Sequence, residues 1–154
     1  MFENKPLAVV EDEESDALLL GLALEEAQIA NKLVLLRDGA ELIAYLDAQA
    51  PYENRGEFPL PGLILLDLKM PRVDGFTVLS WLAGRPELAK IPAVVFSAST
   101  CEADMKRALS LGASGYLSKP STFRVLVSML RDLHERWLGP TAVQSFDASE
   151  SSIL

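Results

Sequence analysis

The 154-residue sequence is poor in several features that would indicate particular classes of protein. It has one cysteine, Cys101, which excludes an internal disulfide and a zinc cluster built from cysteines. No apolar run approaches the roughly 20 residues that a membrane-spanning helix needs. Residues 1–5 lack the basic and then apolar pattern of a secretion signal. We therefore expect a soluble protein of the cytoplasm.

Basic residues are also scarce, since 14 lysines and arginines stand against 22 aspartates and glutamates, and the formal net charge is −8. Non-specific binding of nucleic acid needs a basic surface, so this balance argues against that class of protein. The only histidine, His134, falls in the last predicted helix, where we expect a surface residue and not a phosphoryl donor. Hydrophobic residues make up 49% of the chain, which is enough for the core of one domain.

Five short apolar segments are each bounded by polar residues, glycine or proline, and most are continuous and not alternating. They are Leu7–Val10, Leu33–Leu36, Leu63–Leu66, residues 93–96 and Gly115–Ser118. Continuous apolar runs of this length are typical of strands that are buried on both faces. Segments with helical spacing separate them, so the pattern predicts a β-α alternation repeated five times. Such an alternation implies a parallel sheet with right-handed crossovers and helices on both faces.

Capping residues and apolar spacing mark the predicted helices. Asp38 and Asp74 stand at helix starts, residues 99–102 resemble a capping box, and Gly112 would end the helix that follows it. The expected inward positions are Leu18 and Leu22, Leu42 and Leu46, Phe76, Leu79 and Leu82, Met105 and Leu109, and finally Phe123, Leu126, Leu130, Leu133 and Trp137. Two segments lie outside the alternation: a proline-rich connection at 51–62 and a loosely ordered tail at 139–154.

Charged side chains follow the predicted strands at the edge where an open α/β sheet binds its ligands. If the first and third strands are neighbours, the carboxylates of Glu11, Asp12 and Asp67 converge, and Ser97 and Lys119 end the fourth and fifth strands. Carboxylates this close repel one another, and a hard cation such as Mg²⁺ would offset the repulsion. Lys119 would add a further positive charge across the pocket.

A carboxylate in such a site can attack phosphorus and form an aspartyl phosphate. Phosphoryl transfer then needs little beyond positioning and charge stabilisation by a metal ion and a lysine. We therefore predict Asp67 as the phosphoryl acceptor and Asp12 as a metal ligand, with Lys119 and Ser97 in contact with the phosphoryl group.

Four motifs, in their order and spacing, resemble those of the receiver domain of two-component response regulators. They are VVEDEE (residues 9–14), LLDLKMPRVDG (65–75), VVFSAS (94–99) and GASGYLSKP (112–120). The resemblance implies a three-layer (βα)₅ flavodoxin-like (CheY-like) fold with strand order 2-1-3-4-5, here over residues 5–138. It implies that a phosphohistidine of a sensor histidine kinase phosphorylates Asp67. It also implies that Asp12 binds Mg²⁺ directly, Glu11 binds it through water, and the backbone carbonyl of Lys69 completes the protein ligands.

The same resemblance assigns a switch. Ser97 and Tyr116 match the switch pair of the family, and Lys119 matches a lysine that a cis-proline follows, here Pro120. Phosphorylation would draw Ser97 inward and let Tyr116 follow, which shifts an existing equilibrium between two surfaces. We expect slow autodephosphorylation, no substrate of the protein's own, no DNA-binding output domain and an output through protein contacts.

Partners are implied at two levels. The connection at 51–62, the segment LAGRPELAKIPAVVFSAS and the motif RWLG resemble stand-alone regulators that work with bacteriophytochrome-type kinases. Val125 and Met129 lie on a flank of the last predicted helix, beside its inward stripe. Apolar residues over so wide an arc favour a homodimer through this helix and the fifth strand. A wider contact within the same chain is the alternative.

Three other functions compete with this prediction. A haloacid-dehalogenase-like phosphatase would need an acid two residues after Asp67, where the chain has Lys69. Flavodoxin-like cofactor binding would need a hydroxyl- and glycine-rich phosphate cradle after the first strand, and the acidic residues 11–14 would repel phosphate. A constitutive scaffold that keeps the fold without phosphorylation is disfavoured by the complete set of predicted site residues.

Overall fold

The computed structural model describes residues 5–70 and 72–138. Within them, five parallel strands form one sheet in the order β2-β1-β3-β4-β5, which confirms the predicted fold class and strand order. The strands are β1 (Leu7–Val10), β2 (Leu33–Leu36), β3 (Leu63–Leu66), β4 (Ala93–Ser97) and β5 (Gly115–Ser118). The helices are α1 (Glu14–Glu26), α2 (Gly39–Leu46), α3 (Gly75–Ala83), the short α4 (Pro86–Ala89), α5 (Glu102–Ser110) and α6 (Phe123–Leu133). A π-helical turn, His134–Leu138, follows α6, and the predicted tail at 139–154 lies outside the described residues.

The core consists of two apolar clusters, one on each face of the sheet. Alternate side chains of the central strands pack against α2, α3 and α5 on one face, and against α1 and α6 on the other. Strands β1, β3 and β4 are buried throughout, as predicted. Strands β2 and β5 are not, because each is an edge strand that has a neighbour on one side only. No helix in the described part of the chain is both long and apolar enough to cross a membrane.

The predicted inward face of α1 is wrong. Leu18 and Leu22 are exposed, Leu18 to 65%, whereas Leu20, Ala23 and Leu24 are buried. The segment LLLGLAL carries leucines with a four-residue spacing on more than one face. Spacing alone therefore cannot select the buried face, and packing against the sheet decides it.

Helix α5 differs from the prediction at its start and on its face. Its N-cap is Cys101, which makes no capping bond through its side chain, so the predicted capping box is absent. The helix begins later than predicted, and its buried residue is Ala108, whereas Met105 and Leu109 are exposed, so packing against the sheet selects a different face from the predicted one. Gly112 follows the helix end with φ at 106°, a conformation that glycine adopts without strain, as predicted.

The faces of the remaining helices are largely as predicted. The buried set includes Leu42 and Leu46 of α2, Leu79 and Leu82 of α3, and Leu126, Leu130 and Leu133 of α6, while Phe76 and Trp137 are half-buried against the clusters. Phe123 is the exception, since it is exposed at the first residue of α6.

Two aspartates cap helices as predicted, and one of them lies in the loop after β3. The carboxylate of Asp38 accepts a hydrogen bond from the backbone of Glu41, and that of Asp74 accepts one from Thr77. The glycine after Asp74 has no room for a side chain, because a Cβ on Gly75 would lie 2.6 Å from the carbonyl oxygen of Asp67. The start of α3 is therefore packed tightly against the end of β3.

The connection at 51–62, for which the sequence predicts no regular structure, is organised around Arg55. Its guanidinium donates hydrogen bonds to the carbonyls of Tyr45, Leu46 and Phe58, which satisfies acceptors at the end of α2. The rings of Tyr45, Tyr52 and Phe58 pack together at centroid distances of 5.1 to 6.1 Å.

The expected cis-proline at Pro120 is wrong. Among the described residues the cis peptide bond is Ala50–Pro51. A bond to proline is trans by default, and the expectation at Pro120 depended on resemblance alone.

Candidate functional site

The sheet brings the ends of β1 and β3 together. These strands are paired in parallel, with Val10 opposite Leu66, so Glu11 and Asp67 leave the sheet side by side. Strands β4 and β5 are paired in the same way, and the backbone N–H of Lys119 donates to the carbonyl of Ser97 at 2.9 Å. The premise of the predicted site, that the first and third strands are neighbours, is confirmed.

Lys119 is the centre of the site. Its Nζ donates to Glu11 Oε1 at 2.8 Å and to Asp67 Oδ2 at 3.1 Å, and it lies 3.8 Å from Asp16 Oδ2. The exposed fractions of the side chains are 20% for Lys119, 6% for Glu11 and 14% for Asp67. Charges this poorly exposed to water interact more strongly than surface charges do.

The pKa of Lys119 reflects two opposing effects. Burial favours the neutral amine and by itself lowers the pKa of Lys119, but the hydrogen bonds to Glu11 and Asp67 favour the ammonium. The bonds prevail, so the pKa of Lys119 is raised above its ordinary value of 10.5. Lys119 is therefore a fixed positive charge at neutral pH.

Two donors hold the carboxylate of Asp67. One oxygen accepts from Lys119, and the other, Oδ1, accepts from the backbone N–H of Lys69 at 3.2 Å. The side chain is nevertheless 14% exposed, so it is not sealed inside the fold. An oriented and accessible carboxylate at a strand end is the arrangement that a nucleophile toward phosphorus requires.

The prediction that the carboxylates of Glu11, Asp12 and Asp67 lie close together is wrong. Glu11 and Asp67 meet at Lys119, but Asp12 is exposed. Within residues 5–70 and 72–138, no three acidic, histidine or cysteine side chains are grouped closely enough to hold a metal ion. Asp12 lies beyond the end of β1, and among the described residues the carboxylates paired with Lys119 are those of Glu11, Asp16 and Asp67.

The chemistry of the donors still suits a hard cation. The carboxylates of Glu11, Asp12 and Asp67 and the carbonyl of Lys69 are all oxygen ligands, which Mg²⁺ prefers. Negative charge is also in excess around Lys119, since its ammonium faces the carboxylates of Glu11, Asp16 and Asp67. The residues therefore fit a divalent metal ion by donor type and charge.

The predicted switch residues are connected through Ser99. Ser97 is buried, and its Oγ accepts a hydrogen bond from the backbone N–H of Ser99 at 3.1 Å. The hydroxyl of the half-buried Tyr116 donates to the carbonyl of Ser99 at 3.0 Å. The Ser99 hydroxyl in turn donates to Asp104 of α5 at 2.9 Å.

Two residues of this region were missed by the sequence pattern. Ser99 is predicted only as a cap, and nothing in its spacing indicates that it joins Ser97 to Tyr116. Asp16 lies in the first turn of α1, and nothing in the sequence pattern indicates that it reaches Lys119 at the end of β5.

The family model of the response regulator receiver domain matches residues 7–131. The chain belongs to this family. The predicted resemblance is thereby confirmed, and the site described above lies at the strand ends where the family motifs are found.

Its relatives include regulators of phytochromes. The response regulator Rcp1 of Synechocystis sp. is 37% identical over 134 residues, which cover 87% of this chain and 89% of Rcp1. A solved structure of the phosphorylated cyanobacterial phytochrome response regulator RcpA is 34% identical, covers 89% of this chain and 96% of its own, and has a TM-score of 0.81. The bacteriophytochrome response regulator AtBRR is 38% identical, with coverages of 88% and 96% and a TM-score of 0.72. Rcp1 has also been solved in a Mn²⁺-bound form, with 35% identity, coverages of 88% and 96% and a TM-score of 0.77.

Proposed function

We propose that the protein accepts a phosphoryl group on Asp67 from the phosphohistidine of a sensor histidine kinase. An Asp67 oxygen forms the new P–O bond while the P–N bond to the histidine breaks, and the imidazole leaves. The observation that carries the proposal is the 3.1 Å contact between Lys119 Nζ and the accessible Asp67 carboxylate at the end of β3. An ammonium at this distance stabilises the negative charge of the transferred group.

Mg²⁺ belongs to the same proposal. Glu11, Asp12, Asp67 and the carbonyl of Lys69 would hold it, and its charge would offset the repulsion between the carboxylates and the phosphoryl group. The Mn²⁺-bound form of Rcp1 supports a divalent metal ion in this family. The phosphorylated form of RcpA supports the phosphoryl transfer itself.

The protein acts as a signalling module and has no substrate of its own in this proposal. The position two residues after Asp67 is occupied by the exposed Lys69, where a haloacid-dehalogenase-like phosphatase needs a carboxyl group as its general acid. A phosphatase that turns over external substrates is therefore disfavoured. Hydrolysis of the aspartyl phosphate would be slow and uncatalysed by an acid at that position.

Ser97 and Tyr116 would change position when Asp67 is phosphorylated. The new phosphoryl oxygens attract hydroxyl donors, so Ser97 would turn toward them and release the backbone N–H of Ser99. Because the carbonyl of Ser99 holds the hydroxyl of Tyr116, movement of this segment would change the position of Tyr116. The surface formed by β5 and α5 would then differ between the two states.

Exposed apolar residues of α5 and α6, next to β5, are the basis for a proposed homodimer. Of the two flank residues predicted on α6, Met129 is half-buried and packs against the core cluster of its own chain, so Val125 is the one exposed to a partner. Val125 is exposed, as are Met105 and Leu109 of α5. We propose that these residues, with β5, pair with a second copy of the chain, and that the cognate kinase is of the phytochrome type that the relatives serve.

Incubation with Mg²⁺ and acetyl phosphate tests the acceptor directly. We expect one phosphoryl group per chain by intact-mass measurement, and none in Asp67→Asn. The matched control is Asp74→Asn, which changes an exposed aspartate in the same loop that serves as a helix cap. Equal labelling of wild type and Asp67→Asn would refute the acceptor, and complete absence of label from the wild type would favour a scaffold that is not phosphorylated.

Analytical ultracentrifugation over a range of concentrations tests the dimer, with and without acetyl phosphate. Val125→Glu should shift the protein toward the monomer, because it places a charge in an apolar interface. Leu18→Glu is the control, since Leu18 is an exposed leucine on α1, away from the proposed face. A wild type that stays monomeric in both states, or equal effects of the two variants, would contradict the proposed face.

A further inference from the structure

A third carboxylate belongs to the surroundings of Lys119, and the family motifs do not contain it. The motif VVEDEE ends at residue 14, whereas Asp16 Oδ2 lies 3.8 Å from Lys119 Nζ. Asp16 is also more exposed than the other two partners, at 47% against 6% for Glu11 and 14% for Asp67. Lys119 is therefore held from the side of α1 as well as from the strand ends.

A purely structural explanation of Asp16 does not account for this contact. Acidic residues in the first turn of a helix stabilise it through the helix dipole, and both Glu14 and Asp16 stand there. Only Asp16 of the two forms an ion pair with Lys119 in the described part of the chain. Substitutions of Asp16 and Glu14 should therefore affect the helix dipole alike, and any difference between their effects on phosphorylation is due to the contact with Lys119.

We propose that Asp16 is a positioning residue that holds the ammonium of Lys119 in the resting state and competes with the phosphoryl group for it. The proposal depends on the function proposed for Asp67. An incoming phosphoryl group carries negative charge and needs Lys119 as its counter-charge. Asp16 slows phosphoryl transfer in two ways. It retains the ammonium of Lys119, and its own negative charge repels the incoming phosphoryl group. It therefore restrains phosphorylation of Asp67.

The size of the effect follows from the exposure of Asp16. A half-exposed ion pair of this length is weak, and replacing Asp16 with asparagine should accelerate phosphorylation about two- to threefold. The same weakness means that the urea midpoint of unfolding should hardly change. Asp16→Glu keeps the charge and should restore a rate close to that of the wild type.

Initial rates of labelling with acetyl phosphate and saturating Mg²⁺ are compared for wild type, Asp16→Asn, Asp16→Glu and Glu14→Gln, with urea unfolding of each. Faster labelling of Asp16→Asn alone supports the proposal. Labelling of Asp16→Asn at the wild-type rate or below it overturns the proposal, and so does equal acceleration in Glu14→Gln, which would reflect net charge only. If the wild type itself takes up no phosphoryl group, the function proposed for Asp67 fails instead, so the two failures are distinguishable.

Discussion

Replacing Lys119 with methionine should destabilise the protein more than any surface lysine substitution. Methionine keeps most of the length of the side chain but removes the ammonium that donates to Glu11 and Asp67. The carboxylate of Glu11 would then be left in a nearly unexposed position without a cation. Removing one partner of a buried ion pair is costly because the remaining charge is uncompensated.

The magnitude can be bounded from the contacts. A hydrogen bond to a charged group contributes about 1.5–3 kcal/mol to stability, and breaking a fully buried ion pair costs about 3–5 kcal/mol. Lys119 is 20% exposed and Asp67 14%, so water reaches the remaining carboxylates in part. We expect a loss of about 2–3 kcal/mol in the free energy of unfolding at neutral pH.

Urea unfolding in EDTA, followed by circular dichroism, measures this loss. The matched control is Lys106→Met, because Lys106 pairs with Glu102 at 3.9 Å on the surface, with 76% and 81% of the two side chains exposed. Such a pair contributes about 0.3–0.5 kcal/mol. If Lys119→Met loses no more stability than Lys106→Met, the ammonium does not compensate buried charge and the reasoning is refuted.

The pH dependence gives a second check on the same variant. The pKa of Lys119 is raised in the folded protein, so its contribution to stability is complete below its ordinary pKa of 10.5 and is lost as pH rises through the raised value. The difference in unfolding free energy between wild type and Lys119→Met should therefore stay level from about pH 7 to about pH 10 and shrink at higher pH. A difference that grows with alkaline pH would contradict this sign.

Three further variants test the loops around the site by urea unfolding and by the labelling rate. Tyr116→Phe loses the bond to the carbonyl of Ser99, so about 1 kcal/mol of stability should be lost while the initial rate of labelling is unchanged. Asp74→Ala loses a helix cap, at a cost of about 1 kcal/mol, again without a change in rate. Gly75→Ala should lower both the free energy of unfolding and the initial rate of labelling, because its Cβ would overlap the carbonyl oxygen of Asp67 and displace that residue. An unchanged rate in Gly75→Ala would show that the loop absorbs the methyl group.

The strands and their order could be predicted because the signals for them are strong and local. Four or five consecutive apolar residues bounded by polar ones identify a buried strand wherever it lies, and the motifs then supply the order. Leu63–Leu66 is the clearest case, since all four of its side chains are buried. Four of the predicted site residues directly follow or end one of these apolar runs, so their positions at strand ends could also be predicted: Glu11, Asp67, Ser97 and Lys119.

Contacts between distant segments could not be predicted in the same way. The face of α1 depends on which leucines meet the sheet, and several choices satisfy the helical period. Whether Asp12 joins Glu11 near Lys119 depends on how the chain leaves β1, which the sequence pattern does not specify. The contact of Asp16 with Lys119 joins α1 to the end of β5, and a spacing within α1 carries no information about that distance.

A chain of hydrogen bonds connects the proposed acceptor to the proposed output surface. It leads from Asp67 to the ammonium of Lys119, from the backbone of Lys119 to Ser97, and from Ser97 through Ser99 to Tyr116. The ammonium is already shared among carboxylates, so in the proposed function a phosphoryl group on Asp67 would either draw Lys119 away from the others or require an added cation. Either change alters the first bond of this chain, while the remaining bonds run through adjoining backbone of β4 and β5. Under the proposed function, a charge that arrives at the end of β3 would therefore have a short, continuous path to the edge of the sheet where Tyr116 lies.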